Sequence, residues 1–365
     1  MRILYGVVGE GMGHATRSRV ILDHLTQNHD VHVVASGRAH DYLKGRFDGV
    51  HKIWGYTLAY QDSAVDAFKT VLQNIKGALT GWPENVRQYF NLMKEFEPQV
   101  VISDFESWSY LYGKNHLLPV ISIDNMQVIN RCQHTADVLA GYETDFELTK
   151  NIVKAKVAGA YHYLITTFFY PPIRKKRTTL APSILRDEIL AAKSEPGEHL
   201  LVYQTSTSAG DLPELLKATG RKCKVYGFKR DLKVPEHDGD VTFMPFSEAG
   251  FIDDLRTCKA VIGNGGFTLM SESVYLHKPF LSMPIGGQFE QVLNARYLEH
   301  EGYGLFAPKL TGDVLGEFLE KVPDCARKLQ GYAQDGNKVM FDAVDALLAR
   351  VQAGEKPAPE DMSVG

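Results

Sequence analysis

The stretch Val261–Ala295, VIGNGGFTLMSESVYLHKPFLSMPIGGQFEQVLNA, decides how this chain folds. A short apolar strand at Lys259–Ile262 leads into a glycine-rich turn, Gly263–Gly266, and a helical pattern of apolar residues follows. A second apolar strand, a Gly-Gly loop and another helix complete the stretch. Because strands joined by helices lie parallel in one sheet, this order predicts an α/β architecture.

The glycine turn is typical of a site that binds a nucleotide diphosphate. Glycines let the backbone approach a ligand closely, and the N–H groups at the start of the following helix attract phosphate. The residues expected around the diphosphate are Asn264, Gly265, Gly266, Phe267 and Thr268. Glu272 lies one to two turns further along the helix, where its carboxylate would accept hydrogen bonds from ribose hydroxyls.

Composition restricts the class of protein. The chain has 365 residues, 44% of them hydrophobic and 23% charged, which is typical of a globular protein with two domains. A net charge of -4 argues against a general nucleic-acid binder. The four cysteines are scattered without a C-x-x-C pair, which favours reduced thiols in a cytoplasmic protein. We find neither a signal-peptide pattern nor an apolar run of the roughly 20 residues that span a membrane.

Strand and helix patterns alternate along the whole chain. They predict two Rossmann-like, doubly wound parallel-sheet domains that face each other across a cleft. The expected segments are a first domain at 1–169, a linker at 170–182, a second domain at 183–322, a closing helix at 323–353 and a flexible tail at 354–365. Near the C-terminus, helices are predicted at about Thr311–Lys321 and Cys325–Val351.

The N-terminal loop Gly9-Glu10-Gly11-Met12-Gly13-His14 places an imidazole at the start of a helix. The positive end of a helix lowers the pKa of a histidine, so His14 is a candidate general base; a helix cap or an anion ligand is the alternative. Asp104 follows a strand and is a candidate partner of His14, or itself the base, with helix capping as the alternative. Glu10 is a second candidate carboxylate.

The same loop argues against a nicotinamide-dependent dehydrogenase. Its glycine spacing differs from G-x-G-x-x-G, and the second strand ends in Ala35-Ser36-Gly37, without the acidic residue that would bind ribose. Another strand ends in Asp124-Asn125, which either line an acceptor pocket or form a turn.

Two strand ends of the second half offer further ligand contacts. Thr205 and Ser206 suit diphosphate oxygens, with a helix cap as the alternative. Met244 ends a strand that a nucleobase would meet through the backbone, with apolar packing as the alternative. Asp238-Gly239-Asp240 has the D-x-D spacing of some metal sites but is better interpreted as a solvated turn, so no metal site is predicted.

With these residues in place, the chain resembles nucleotide-sugar glycosyltransferases of the GT-B fold over nearly its whole length. The resemblance depends on Gly9–His14, Gly263–Glu272, the Glu290-Gln291 pair and Asn294-Ala295. Relatives of this kind are the UDP-glycosyltransferases, the lipid II-forming N-acetylglucosaminyltransferase and a group labelled teichoic-acid or polysaccharide biosynthesis proteins.

The resemblance implies an inverting, metal-independent and cofactor-free transfer of a sugar from a UDP-sugar to an acceptor hydroxyl, in the synthesis of cell-surface polysaccharide or glycolipid. It assigns donor contacts to Gly13, Gly265, Gly266 and Glu272, the hydroxyls of the donor sugar to Glu290 and Gln291, the nucleobase to the backbone of Met244, and the base to His14 with Asp104. Asn264 departs from the pattern, because relatives often carry His or Arg there.

Two alternatives stay open at this point. The loop Gly13–Arg17 also resembles that of a UDP-sugar hydrolase, so a hydrolase or epimerase on the same fold is possible, as is a non-catalytic nucleotide-sugar-binding protein. A lipid-linked or glycan acceptor is expected at residues 56–82 and 105–133. The basic run Arg174–Arg177 is either a peripheral contact with the cytoplasmic membrane face or a solvated linker.

Overall fold

The computed structural model describes residues 1–9, 11–55, 60–61, 64–65, 83–204, 211–229 and 231–359. Within them, two seven-stranded sheets are flanked by helices, which confirms the predicted α/β fold with two Rossmann-like units. The predicted site residues Glu10, Thr205 and Ser206, and most of the predicted acceptor segment 56–82, lie outside the described residues.

The first sheet has the order β3-β2-β1-β6-β7-β8-β9 and all its neighbouring strands run parallel. Val7 at the end of β1 is in register with Asp104 at the end of β6, so the loops that follow these strands start at the same sheet edge. The strands are β1 Arg2–Val7, β2 Asp30–Ala35, β3 Val50–Lys52, β6 Val100–Asp104, β7 Val120–Asp124, β8 His162–Thr167 and β9 Thr178–Pro182; β4 Tyr60–Gln61 and β5 Ala64–Val65 form a separate hairpin.

The second sheet has the order β12-β13-β11-β10-β14-β15-β16. Its strands are parallel except for β12, which is antiparallel to β13 at the sheet edge. Gly263, which begins the glycine turn, is in register with Tyr203 at the end of β10. The strands are β10 Leu200–Tyr203, β11 Cys223–Tyr226, β12 Glu236–Asp238, β13 Val241–Phe243, β14 Ala260–Gly263, β15 Phe280–Ser282 and β16 Gly304–Phe306.

Helices connect the strands as the alternating pattern predicts. Residues 83–91 are helical and continue into a π-helical turn at Leu92–Phe96. The other helices are α1 Met12–Leu25, α2 Gly37–Lys44, α3 Ser107–Asn115, α4 Val128–Arg131, α5 Ala136–Leu139, α6 Glu143–Lys156, α7 Asp187–Leu190, α8 Leu212–Lys217, α9 Glu248–Thr257, α10 Phe267–Tyr275, α11 Phe289–His300, α12 Gly312–Leu329 and α13 Lys338–Gln352. Among the described residues, none of these helices is long and apolar enough to cross a membrane.

The central strands are buried on both faces, because helices cover both sides of each sheet. Ile3, Val7, Ile102 and Ile121 of the first sheet pack in one apolar cluster, and Leu4, on the other face of β1, belongs to another. This burial explains why β1, β6 and β7 are near-continuous apolar runs rather than alternating ones. The four cysteines are buried and free, in agreement with the prediction of reduced thiols.

The predicted linker, 170–182, contains a strand that the sequence analysis did not predict. Residues Thr178–Pro182 form β9, which pairs with β8 and is the last strand of the first sheet. Thr178 and Thr179 are β-branched and favour extended backbone, and Pro182 is tolerated because it ends an edge strand. The charge run before β9 had obscured this pattern.

The predicted helix break near the C-terminus was wrong. Helix α12 continues through Pro323, and the break falls at residues 330–337. A proline inside a helix costs about 3 kcal/mol. Burial of Phe318, Val322 and Leu329 on the inner face of α12 offsets this cost.

Helix α13 returns to the first domain rather than staying with the second. Val344 and Leu348 are buried in the apolar cluster that contains β1 and β2. His24 of α1 lies 2.9 Å from an Asp345 carboxylate oxygen and stacks on Phe341. The predicted closing helix is therefore part of the first domain's packing.

The chain thus crosses twice between the two domains, and the two crossings are bonded to each other. The Leu185 N–H donates to Asn337 Oδ1 at 2.9 Å, and Asn337 Nδ2 donates to the Leu185 carbonyl at 2.6 Å. Gln334 Nε2 donates to the Ser183 carbonyl at 2.6 Å. Asn337 is buried, so both its hydrogen-bonding ends are satisfied without water.

Candidate active site

His14 and Asp104 form a hydrogen-bonded dyad at the carboxyl ends of the central strands of the first sheet, the pairing that the sequence analysis considered. His14 lies in the first turn of α1, and Asp104 is the last residue of β6. The His14 Nδ1 atom is 2.9 Å from Asp104 Oδ1. Nδ1 also lies 2.6 Å from Arg17 Nη2, and since a carboxylate only accepts and a guanidinium only donates, the two neighbours favour opposite tautomers. A role as general base requires the tautomer in which Nδ1 donates to Asp104 and Nε2 keeps its lone pair. The imidazole is 18% exposed and Asp104 is buried, so the dyad opens to solvent only on the histidine side.

Arg17, one turn further along α1, completes a buried charge cluster that the sequence analysis missed. Its Nε donates to Asp104 Oδ2 at 2.9 Å, and its Nη2 donates to Oδ1 at 2.5 Å. Ser18 Oγ also donates to Oδ2, at 2.9 Å. Asp104 is therefore held in a fixed orientation by a bidentate guanidinium and a hydroxyl.

This cluster sets the protonation of the dyad. The Arg17 and His14 contacts hold the pKa of the Asp104 carboxyl well below its usual range, although burial opposes this. The pKa of His14 is lowered from 6.5 mainly by burial and then by the Arg17 guanidinium, whose Nη2 lies 2.6 Å from Nδ1. The Asp104 charge acts in the opposite direction. His14 is neutral near pH 7, which is the state a general base requires.

The first domain reaches the second through Asn125, which follows β7. Arg17 Nη1 donates to Asn125 Oδ1 at 2.9 Å, and Asn125 Nδ2 donates to Glu290 Oε1 at 2.7 Å. Glu290 lies at the start of α11, and its Oε1 also accepts from Asn294 Nδ2 at 2.6 Å. The dyad and the predicted sugar-binding carboxylate therefore belong to one hydrogen-bonded chain.

The glycine turn after β14 is organised by Gln291. Gln291 Oε1 accepts from the N–H groups of Gly265 and Ile285, at 3.2 and 3.0 Å, and its Nε2 donates to Gln288. A Cβ at position 265 would lie 2.5 Å from Gln291 Cβ, so only glycine fits there. The Gly265 N–H is therefore already used within the protein. Among the described residues, the second Nε2 hydrogen of Gln291 has no hydrogen-bond partner.

The start of α10 supplies the donors that remain at this turn. Gly266 occupies the N-cap position, and no side chain from the described part of the chain caps the helix. A Cβ at position 266 would meet nothing within 4 Å. The side chain of Phe267 is buried and stacks on Phe168 of the first domain, so only its backbone can face a ligand. Uncapped N–H groups at a helix start are a ready anion site.

The two glycine loops of the chain meet at this point. A Cβ at position 13 would lie 2.6 Å from Thr268 Oγ1, so Gly13 of the first domain touches α10 of the second. The His14 dyad and the start of α10 are therefore neighbours across the domain boundary. This is the juxtaposition expected if His14 and a diphosphate act on the same sugar.

Glu272 is buried and paired, which the sequence did not indicate. Arg186 Nε donates to its Oε1 at 2.7 Å and Arg186 Nη2 donates to its Oε2 at 2.9 Å. The third guanidinium nitrogen, Nη1, donates to Glu248 Oε1 at 2.7 Å. Burial raises the pKa of Glu272, and the Arg186 charge opposes this. A ribose hydroxyl would have to bond to the remaining lone pairs of this carboxylate.

The remaining predicted donor contacts lie at the ends of β13 and β14. Met244 is half-buried, and its N–H donates to the Val225 carbonyl at 2.8 Å, so only its carbonyl could serve the predicted contact with a nucleobase. The next residue but one, Phe246, is 85% exposed. Asn264 is half-buried at the turn. The D-x-D turn is exposed, and Asp238 pairs with Lys217 at 2.9 Å.

Known proteins that resemble this chain point to one family. Residues 1–323 match the glycosyl transferase family 1 profile. A protein of Methanosarcina mazei described as an uncharacterized glycosyltransferase is 24% identical over 98% of this chain and 100% of its own length. A homologue with the same description in Methanosarcina acetivorans is 23% identical over 99% of this chain and 100% of its own length.

Solved structures share the fold. A UDP-glucosyltransferase from Polygonum tinctorium superposes with a TM-score of 0.66 at 11% identity, over 95% of this chain and 98% of that one. Phytolacca americana UGT2, complexed with UDP-2-fluoro-glucose and pterostilbene, superposes with a TM-score of 0.63 at 12% identity, over 95% and 99%. The predicted GT-B arrangement is confirmed, and the chain belongs to glycosyl transferase family 1 and is a glycosyltransferase.

Proposed function

We propose that this glycosyltransferase moves a sugar from a nucleoside-diphosphate donor, UDP in the first instance, to an acceptor hydroxyl with inversion at the anomeric carbon. The observation that carries the proposal is the meeting of two loops. The His14–Asp104 dyad follows Gly13, which touches Thr268 in the uncapped first turn of α10. A base and an anion site therefore lie on opposite sides of the domain boundary.

The chemistry follows from these two sites. Cleavage of the sugar–diphosphate bond places negative charge on the leaving diphosphate, and the fixed N–H groups at the start of α10 stabilise it. His14 Nε2 takes the proton of the acceptor hydroxyl while the hydroxyl oxygen bonds to the anomeric carbon. Attack from the side opposite the diphosphate gives the inverted product. We propose that neither a metal nor another cofactor takes part.

The donor assignment rests on the resemblance and on structural similarity. Phytolacca americana UGT2 is complexed with a UDP-sugar analogue. In the present chain, the carbonyl of Met244 would contact the nucleobase, and Glu272 would bind the ribose. Glu290 and Gln291 would bind the donor sugar. Thr205 and Ser206 are proposed as further diphosphate contacts, and Glu10 as an additional candidate for the general base.

The acceptor belongs to the same proposal: a glycan or lipid-linked sugar used in cell-surface polysaccharide or glycolipid synthesis, at the cytoplasmic membrane face. Helix α6 supports this placement. Leu148 and Ile152, one turn apart, are 61% and 55% exposed, and Lys150 and Lys154 lie on the same helix. The exposed pair Leu148 and Ile152 suits the apolar part of a lipid surface, whereas the three lysines of α6 are balanced by Glu143, Asp145 and Glu147. Co-sedimentation with anionic vesicles tests this part, and loss of binding in Leu148→Ser/Ile152→Ser is expected.

The central experiment measures turnover of a panel of UDP-, GDP- and dTDP-sugars with and without acceptor extracts, in the presence of EDTA. We expect transfer that depends on acceptor, and an NMR spectrum of the product with the opposite anomeric configuration to the donor. Rapid release of UDP and free sugar without acceptor would favour a hydrolase, and an interconverted sugar still attached to its nucleotide an epimerase. Binding without turnover under all conditions would indicate a non-catalytic protein.

A matched pair of variants connects the activity to the dyad. His14→Gln should lower kcat by about a hundredfold or more, because general-base catalysis contributes roughly 10²–10⁴. His24→Gln is the control, since His24 lies on the same helix at the same 2.9 Å from a carboxylate, that of Asp345, but away from the domain boundary. Equal losses in both variants would remove His14 from the reaction.

A further inference from the structure

Asn125 is the one residue through which the charge cluster of His14, Asp104 and Arg17 reaches Glu290 among the hydrogen bonds of the described residues. Asn125 is buried, and Asp104 and Arg17 are buried as well. The sequence placed Asn125 in an acceptor pocket or a turn. Its position in the structure indicates a different role, on the donor side.

The orientation of the Asn125 amide is fixed by its neighbours. A guanidinium can only donate hydrogen bonds, so the group facing Arg17 Nη1 at 2.9 Å must be the amide oxygen. The amide nitrogen must then face Glu290, where it lies 2.7 Å from Oε1. Arg17 itself is fixed by its bidentate pair with Asp104. The direction of the Asn125 N–H is thus determined from the first domain.

Glu290 receives this bond on one oxygen only. Oε1 accepts from Asn125 at 2.7 Å and from Asn294 at 2.6 Å, and Asn294 is oriented in turn by the Gly265 carbonyl at 3.2 Å. Within the described part of the chain, no hydrogen bond reaches Oε2, and the Glu290 side chain is only half-buried. One oxygen is therefore committed to the protein while the other is available to a ligand.

We propose that Arg17 and Asn125 are positioning residues that aim Glu290 Oε2 at a hydroxyl of the donor sugar. This inference rests on the proposed function. Recognition of the sugar then depends on the first domain although the carboxylate belongs to the second, and Glu290 is fully oriented only when Asn125 is in contact. Glu290 then selects a sugar with a free hydroxyl that faces Oε2 and donates a hydrogen bond to it.

The test uses calorimetry to compare the affinity for a UDP-sugar with the affinity for UDP. The UDP-sugar is the one whose affinity for wild type exceeds that of UDP by the largest factor. In Asn125→Ala the affinity for the UDP-sugar should fall about tenfold, because a hydrogen bond to a charged group contributes at least roughly that factor. The affinity for UDP should be unchanged, because the proposed function assigns Glu290 to the sugar and not to the nucleotide. A defect in the fold would weaken the binding of both ligands alike, so a loss confined to the UDP-sugar isolates the positioning role.

Asn130→Ala is the matched control. Asn130 is buried to the same degree as Asn125 and lies five residues later, but its hydrogen-bond partners Gln127, Arg174 and Lys175 all belong to the first half of the chain. Its ratio of UDP-sugar to UDP affinity should equal that of wild type. In Glu290→Gln, the further change Asn125→Ala should have little additional effect, since the charge that Asn125 orients is gone.

The outcomes separate this inference from the proposed function. A wild-type protein that binds no nucleotide and no nucleotide sugar refutes both. A wild type that prefers a UDP-sugar over UDP, with an Asn125→Ala variant that keeps this preference, overturns only the positioning role. An Asn125→Ala variant that loses affinity for UDP and UDP-sugar equally also overturns it, because the loss would then come from the fold.

Discussion

At the scale of single residues, burial lowers the pKa of His14 most, and Arg17 lowers it further. The Arg17 guanidinium donates hydrogen bonds to both Asp104 carboxylate oxygens, and its Nη2 lies 2.6 Å from His14 Nδ1. Aspartate next to histidine normally raises the histidine pKa, and here a cation opposes that effect. The consequence is a base that stays neutral at lower pH than an isolated imidazole.

Arg17→Met should therefore move the acid limb of the pH profile upward. In wild type, activity falls as the pH drops through the His14 pKa, which lies below 6.5. Without the Arg17 charge, the uncompensated Asp104 carboxylate stabilises the protonated imidazole, so the fall begins at higher pH. The measurement is kcat/KM from pH 5 to 9, with Arg17→Lys as the charge-retaining control. A profile that keeps its midpoint and only loses amplitude would show that Arg17 has no electrostatic role.

Arg186 and Glu272 form the second buried pair, and removal of one member should be costly. Arg186→Met leaves a buried carboxylate without its counter-charge, which costs about 3–5 kcal/mol of unfolding free energy near neutral pH. The loss should shrink as the pH falls, because the folded pKa of Glu272 is raised and protonation removes the buried charge. Urea unfolding at pH 7.5 and at pH 5 measures both values.

The control for this pair is Arg327→Met, which removes an exposed i,i+3 partner of Asp324 and should leave stability unchanged. If Arg186→Met were no more destabilising than Arg327→Met at either pH, the Arg186 pair would not be structural. Glu272 would then have only its proposed role in binding the ribose.

At the scale of elements, the two glycines before α10 have separable roles. Gly265→Ala should destabilise the fold by roughly 1–3 kcal/mol, since its Cβ would lie 2.5 Å from Gln291 Cβ and the α11 backbone. Gly266 has a backbone φ of -66° and open space for a Cβ, so Gly266→Ala should retain the stability of the fold. That Cβ would enter the proposed diphosphate position and weaken nucleotide binding.

Thermal-shift assays with and without UDP distinguish the two glycines. The expected pattern is a lowered melting temperature for Gly265→Ala and a lost UDP-induced shift for Gly266→Ala. A Gly266→Ala variant with the full UDP shift would place the diphosphate elsewhere.

The sequence predicted the elements whose signals are local. Apolar runs identified β1, β6 and β7, and the glycine turn identified β14 with α10. It missed β12 and β16, which have three residues each and polar or glycine-containing sequences, and β9, where charged residues precede the strand. Three residues are too few to show a period, so a short strand is recognised only where it lies in a longer apolar run, as β15 does.

The site was predictable only where a local motif points to it. His14, Asp104 and the turn at Gly265 stand at strand ends and in glycine loops. Arg17 had a signal, because it lies one turn from His14 on the same helix face. Arg186 had none, since it is 86 residues from Glu272 and only the tertiary fold brings them together.

At the scale of the whole molecule, the C-terminal helix α13 stabilises the first domain. Val344→Ala should lower the free energy of unfolding by about 2 kcal/mol, because two buried methyl groups contribute roughly 0.8 kcal/mol each and a cavity adds to the cost. Amide exchange should speed up in β8 and β9, which contact α13, and not in the second sheet. Val339→Ala in the same helix is the control, as Val339 is 47% exposed.

Uniform acceleration of exchange across both sheets in Val344→Ala would contradict this assignment. It would mean that α13 supports the molecule as one cooperative unit rather than the first domain by itself.

The pairing of Asn337 with Leu185 has a consequence for motion. Since the chain leaves the first lobe before Leu185 and re-enters it after Asn337, the second lobe is an insertion tethered by two adjacent segments. A single tether permits twisting about its own axis, whereas two segments bonded side by side resist torsion and bend together. We therefore expect any relative movement of the two domains to be a bend at Leu185 and Asn337 rather than a twist.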